Sequence, residues 1–149
     1  MAFSGFWHLP WGSYGYWLKL ITKKMAIIVY NRKNESHSDS PNNFRCYRPF
    51  ALANPYTHLP IEKTKAIYKV PTREDAVKAY DHYFDIMYRS NLRFKKAVDY
   101  IYERYKAGED VYLECYCKPE PCHCDIIKEK LEKRLIKEKM QELKNAETK

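Results

Sequence analysis

Apolar and polar positions along the chain fall into short solid blocks and longer amphipathic ones. "AIIVY" (26–30) is continuously apolar and rich in β-branched residues, which predicts a buried strand. "NRKNESHSDSPNN" (31–43) is polar and rich in turn formers, which predicts a mobile loop. "RCYRPFALANPYTHLP" (45–60) differs, with three prolines, several aromatics and little charge. A loop of that kind is expected to be pinned on a scaffold and to line a site. "AIYKV" (66–70) predicts a short second strand. Thr72, followed by Glu74 and Asp75, is a helix start, because its hydroxyl can accept from the Asp75 amide and the acids favour the positive end. Ala76, Tyr80, Tyr83, Phe84 and Met87 then recur at helical spacing, with Tyr80, Tyr83 and Tyr88 read as core and helix-rim residues. A second helix follows "RSN", carries Phe94, Ala97, Val98, Ile101 and Tyr105, and stops at Gly108. "VYLECYC" (111–117) predicts a strand with Val111, Leu113, Cys115 and Cys117 on one face, and "KPEP" a turn. The last helix starts near His123–Asp125 and turns Ile127, Leu131 and Leu135 inward.

The order is therefore strand, long loop, strand, helix, helix, strand, helix. It predicts a single α/β domain, a small sandwich of two or three layers around a mainly parallel sheet. Residues 26–30 and 111–117 are expected to be neighbouring parallel strands, with the two helices as their crossover. The domain is expected over 25–137, with 138–149 as a charged helical tail overhanging it. Residues 1–24 stand apart, holding all three tryptophans and three of the four glycines without a steady period. Two readings stand open for them: overrun upstream of a true start at Met25, or an aromatic arm that packs on the domain or on a lipid headgroup layer.

Charge changes this picture little. Of the net +8, residues 1–24 carry three, residues 125–149 two, and the long middle only three. The excess is spread as on ordinary helix surfaces, so nucleic acid is the weaker partner reading. No apolar run reaches the roughly 18 residues that a membrane-spanning helix needs. The expected setting is the cytoplasm, with oligomeric state left open.

Chemistry concentrates in "CYCKPEPCHC" (115–124), which holds four of the five cysteines and a histidine. Free thiols are expected, because Cys115 and Cys117 share a strand face at a spacing that resists bridging. Three readings compete. Cys115, Cys117, Cys122 and Cys124 supply ligands that suit zinc. Cys122, at a helix start beside His123, is placed for a lowered pKa and nucleophilic catalysis. The strand–turn–helix also offers unpaired amides at 122–125 and a positive dipole end to an anion. In that reading His123 adds a donor whose charge is tunable near neutral pH.

"LECYCKPEPCHCDII" resembles the C-terminal signature of the DUF4326 family through Cys115, Cys117, Cys122, His123 and Asp125. Arg48-Pro49, Asn54-Pro55 and the helix start Thr72-Arg73-Glu74 resemble its upstream features. The likeness covers roughly residues 26–136. Ala53 and Cys124 stand where the family pattern has glycine, so space for a close backbone approach is narrowed there. The Cys-His helix start is also similar to the DUF488 family. The resemblance implies a phage-encoded protein of the host cytoplasm, an α/β fold, and a site at this strand–helix edge.

The favoured reading is a protein that binds a small phosphorylated or nucleotide-like ligand through Arg48, Asn54, Arg73, Cys117, Cys122, His123, Cys124 and Asp125, with no cofactor expected. The alternatives are a zinc-bearing interaction module, and a cysteine-dependent enzyme using Cys122 and His123 on a nucleotide-like substrate.

Overall fold

A computed structural model describes residues 26–148; the aromatic stretch 1–24 lies outside the described residues. The main sheet has three parallel strands: β1 (Ile27–Asn31), β2 (Asn43–Arg45) and β5 (Val111–Cys115), in the order β1-β5-β2. The expected parallel pair is present, in register from Ile27 opposite Val111 to Asn31 opposite Cys115. On the other side of β5, Asn43 faces Tyr112 and Arg45 faces Glu114.

Two segments differ from the pattern's prediction. The polar loop ends in a strand, β2, because "NFR" borrows the open edge of β5; three residues are too few to show a period. Only Tyr68–Lys69 (β4) of the 66–70 run is extended, and it pairs with β3 (Tyr56–Thr57) in a separate two-stranded ribbon. Ile67 and Tyr68 are more than half exposed, so this apolar run is not a core strand.

Three helices follow from local signals. In α1 (Arg73–Ser90) the Thr72 hydroxyl accepts from the Asp75 amide at 3.1 Å. Asn91 closes α1 through its amide, which donates to Met87, and opens α2 (Leu92–Lys106) through its side chain, which accepts from Phe94 at 2.9 Å. Gly108, at φ 89°, supplies the left-handed residue that turns the chain from α2 toward β5. α3 spans His123–Glu147.

One core joins one sheet face to all three helices. Ile27, Val111, Leu113 and Cys115 meet Tyr80, Phe84, Phe94, Val98, Ile101, Ile127 and Leu131 there, which makes the sandwich two-layered. The opposite face is capped by the 32–42 loop, whose His37 stacks on Tyr112 with ring centroids 4.0 Å apart. Past Leu135, no described side chain of α3 is buried. No described helix is long and apolar enough to cross a membrane.

Ile127 is fully buried where α3 meets the core. Ile127→Ala should lower the unfolding free energy by about 2–5 kcal/mol in urea titrations. A loss below about 1 kcal/mol would mean that α3 does not pack on the sheet as described.

Candidate functional site

The carboxyl end of β5 and the segment that follows β2 open into a cavity of about 390 Å³, at the edge where open α/β sheets bind ligands. Its floor is the turn from β5 into α3. Asn31, the last residue of β1, holds that turn by donating its amide to the Tyr116 and Lys118 carbonyls at 3.3 and 2.8 Å. Its far wall is the proline-rich segment after β2. Asn54 pins this wall to the helices, donating to the Ala76 carbonyl at 3.1 Å and accepting from the Tyr56 amide at 3.0 Å. Tyr80, fully buried, donates to the Leu52 carbonyl at 2.8 Å.

Seven of the residues singled out from the sequence meet at this cavity: Arg48, Asn54, Arg73, Cys115, Cys117, Cys122 and His123. Arg48 donates to the Asn54 carbonyl at 2.7 Å, and desolvation lowers its pKa. Lys65 adds a third cation, and Tyr47, Tyr56 and Tyr116 add aromatic surface. Tyr47 and Tyr56 come from the 45–60 loop expected to line a site and Tyr116 from the cysteine motif, whereas Lys65 is brought in by the tertiary fold alone. No carboxylate lines the cavity among the described residues. Glu114, next to Cys115, points the other way by strand alternation and sits between Arg32 and Arg45 at 3.8 and 3.6 Å.

Cys124 and Asp125 do not line the cavity. Asp125 closes a capping box: its carboxylate accepts from the Cys122 amide at 3.1 Å and pairs with Lys118 at 2.6 Å. The Cys124 amide donates to the Cys122 sulfur at 3.5 Å, and the Asp125 amide to the Cys122 carbonyl at 3.0 Å. The amides of 122, 124 and 125, expected to be open to an anion, are therefore spent within the turn.

His123 also departs from expectation. It is buried against Tyr80, and its Nε2 donates to the Cys46 carbonyl at 2.6 Å. That bond sets the tautomer and leaves Nδ1 as an acceptor 3.7 Å from the Cys122 sulfur. Burial pushes its pKa down to about 4, so the ring is neutral near pH 7 and is not a tunable cation.

All five cysteines are free and gather in one cluster. The sulfurs of Cys115, Cys122 and Cys124 lie within 4.8 Å of one another and are buried. Cys117 adjoins Cys122, and Cys46, which the sequence reading passed over, adjoins Cys124. Cys46 bears no spacing to the other four, so only the fold could reveal it. Cys122 and Cys124 are pushed up chiefly by donating to the Cys115 sulfur, which is pulled down in return. Cys117 is lowered to about 7, first by its hydrogen bond with Cys122 and further by the Arg73 charge. Of the cavity thiols, Cys115 and Cys117 are thus drawn toward the thiolate, while Cys122, read from the sequence as the nucleophile, is held protonated and buried.

The histidine carries a pH signature. The unfolded chain takes up a proton near pH 6.5 that the folded ring refuses until about pH 4. The stability from keeping His123 neutral is present above that window and is lost as pH falls through it. In chelator-treated protein, the urea midpoint should fall between pH 6.5 and 4. His123→Gln should be less stable at neutral pH and show a flatter fall. Equal slopes for the two proteins would remove His123 as the cause.

No curated protein and no solved structure matches the chain. A family model described as "Domain of unknown function" matches residues 29–133, a span that takes in most of β1, every other described strand, α1, α2, the capping box and the thiol cluster. That span holds both walls and the floor of the cavity, and on its strength the chain belongs to the DUF4326 family.

Proposed function

We propose that the protein binds a small anionic ligand, phosphorylated or nucleotide-like, in the cavity at the carboxyl end of β5. One observation carries this reading: Arg48, Lys65 and Arg73 line the cavity, and no described carboxylate neutralises them there. Guanidinium groups suit phosphate through paired donors, and a desolvated cation gains from an anion brought beside it. Tyr47, Tyr56 and Tyr116 offer faces on which a planar base could lie. Recognition by side chains replaces the backbone cradle that the capping box removes.

Calorimetric titration with inorganic phosphate and with nucleoside monophosphates tests the reading. Phosphate should bind, and a nucleotide should bind more tightly through its base. Arg73→Ala should weaken both by roughly 10- to 100-fold, the scale of a hydrogen bond to a charged group. Its melting temperature should stay near that of the parent, since Arg73 makes no described salt bridge. No measurable binding of either anion at millimolar concentration would end the proposal.

A second reading, a zinc-bearing interaction module, is favoured by the three mutually close sulfurs of Cys115, Cys122 and Cys124. About one equivalent of zinc in purified protein that binds neither anion would support it over the first.

A further inference from the structure

Three buried thiols converge on one point. The Cys115, Cys122 and Cys124 sulfurs are mutually within 4.8 Å. Around a tetrahedral zinc with bonds of about 2.3 Å, thiolate sulfurs stand roughly 3.8 Å apart. A contraction of no more than about an ångström per pair would seat the ion. The scaffold for this is rigid: Cys115 ends β5, Cys122 caps α3, and Cys124 is in the first turn of α3. The helix start suits bound thiolates, since the Cys124 amide already points at the Cys122 sulfur and the dipole favours negative charge.

The surroundings leave the trio one ligand short. The His123 Nε2 is committed to the Cys46 carbonyl, and its Nδ1, 3.7 Å from the Cys122 sulfur, does not belong to the mutually close group. Cys117 and Cys46 adjoin the trio, but neither belongs to the mutually close group. Cys115 and Cys122 face the cavity, whereas Cys124 lies behind them in the core. An ion on the three sulfurs would therefore have its unfilled side toward the cavity, which is also its route of entry. Three thiolates and one zinc carry a net charge of −1, and Arg48, Lys65 and Arg73 stand on the open side.

We propose that Cys115, Cys122 and Cys124 hold a zinc ion whose fourth position opens into the cavity and takes an oxygen of the anion bound there. The inference rests on the anion-binding reading for its fourth ligand and merges the two readings into one site. Zinc sites that keep such a position are the ones that polarise a bound oxygen.

Cobalt(II), a spectroscopic stand-in for zinc, tests it on the full chain. The metal-free protein should take up about one cobalt with thiolate charge-transfer and tetrahedral d–d bands. Inorganic phosphate should shift the d–d bands, and Arg73→Ala should raise the phosphate concentration needed by roughly tenfold or more while leaving metal uptake intact. Cys124→Ser should weaken cobalt binding by more than about 100-fold, beyond the effect of losing an outer-shell partner. Cys117→Ser should keep both the bands and their response. Absence of cobalt uptake by folded wild-type protein overturns the inference. So does loss of the tetrahedral bands in Cys117→Ser, which would make Cys117 the fourth ligand. If calorimetry detects phosphate binding to the cobalt protein and the bands do not move, the open position is refuted and the anion reading survives. If cobalt binds and phosphate does not, the anion reading fails and takes the fourth ligand with it.

Discussion

β5 must be paired on both sides, and the rest of the molecule is arranged around that requirement. All five of its residues pair with β1 and three of them with β2, and the ladder runs past the strands themselves: the Arg32 amide donates to the Cys115 carbonyl and the Cys46 amide to the Glu114 carbonyl. Both neighbours are parallel to it, so all three strands deliver their carboxyl ends to one edge. A parallel connection needs a long crossover, and α1 and α2 supply it while covering one face. The cavity is what remains where the strands end and the chain has yet to start α3.

The first turn of α3 shows how a helix start can look like a ligand site and serve a different end. Its donors are satisfied by Cys122 and Asp125, and Asp125 is in turn neutralised by Lys118. A buried helix end has to be settled somewhere. Here it is settled locally, which frees the cavity wall to be built from long cationic side chains on other elements. The neutral imidazole of His123 then works as a structural tie. Its bond to the Cys46 carbonyl joins the floor of the cavity to the wall that follows β2.

Much of this was legible in the residues, for reasons that differ by element. β1 announces itself as a continuous apolar run, and β5 by its alternation, which puts Val111, Leu113 and Cys115 on one face. The caps at Thr72 and Asn91 are legible because capping is a local rule. β2 is not, since "NFR" becomes a strand only by lying beside β5. The 66–70 run misled because apolar content does not name its partner, and the ribbon it joins is largely exposed. At the site, "CYCKPEPCHC" located the chemistry but not its direction. Cys122 and Cys124 are two residues apart on a helix start, and only the packing puts one at the cavity and the other in the core. Cys46, Tyr47, Tyr56 and Tyr116 lie in segments that pointed to the site, but nothing local marks those residues within them, and Lys65 lies outside both segments.

Asn91 ends one helix and begins the next, so the chain keeps no spare residue between α1 and α2. Each residue inserted there would rotate α2 by roughly 100° about its own axis. Phe94, Val98 and Ile101 would swing out of the core, and exposed Leu92 and Tyr100 would come round toward it. The joint therefore tolerates no drift in length over evolutionary time. The 32–42 stretch is bounded by strands at both ends, so it can lengthen without turning any helix. Homologous chains of different length should differ there and keep this joint unchanged, which makes the span from Thr72 to Gly108 a ruler for aligning them.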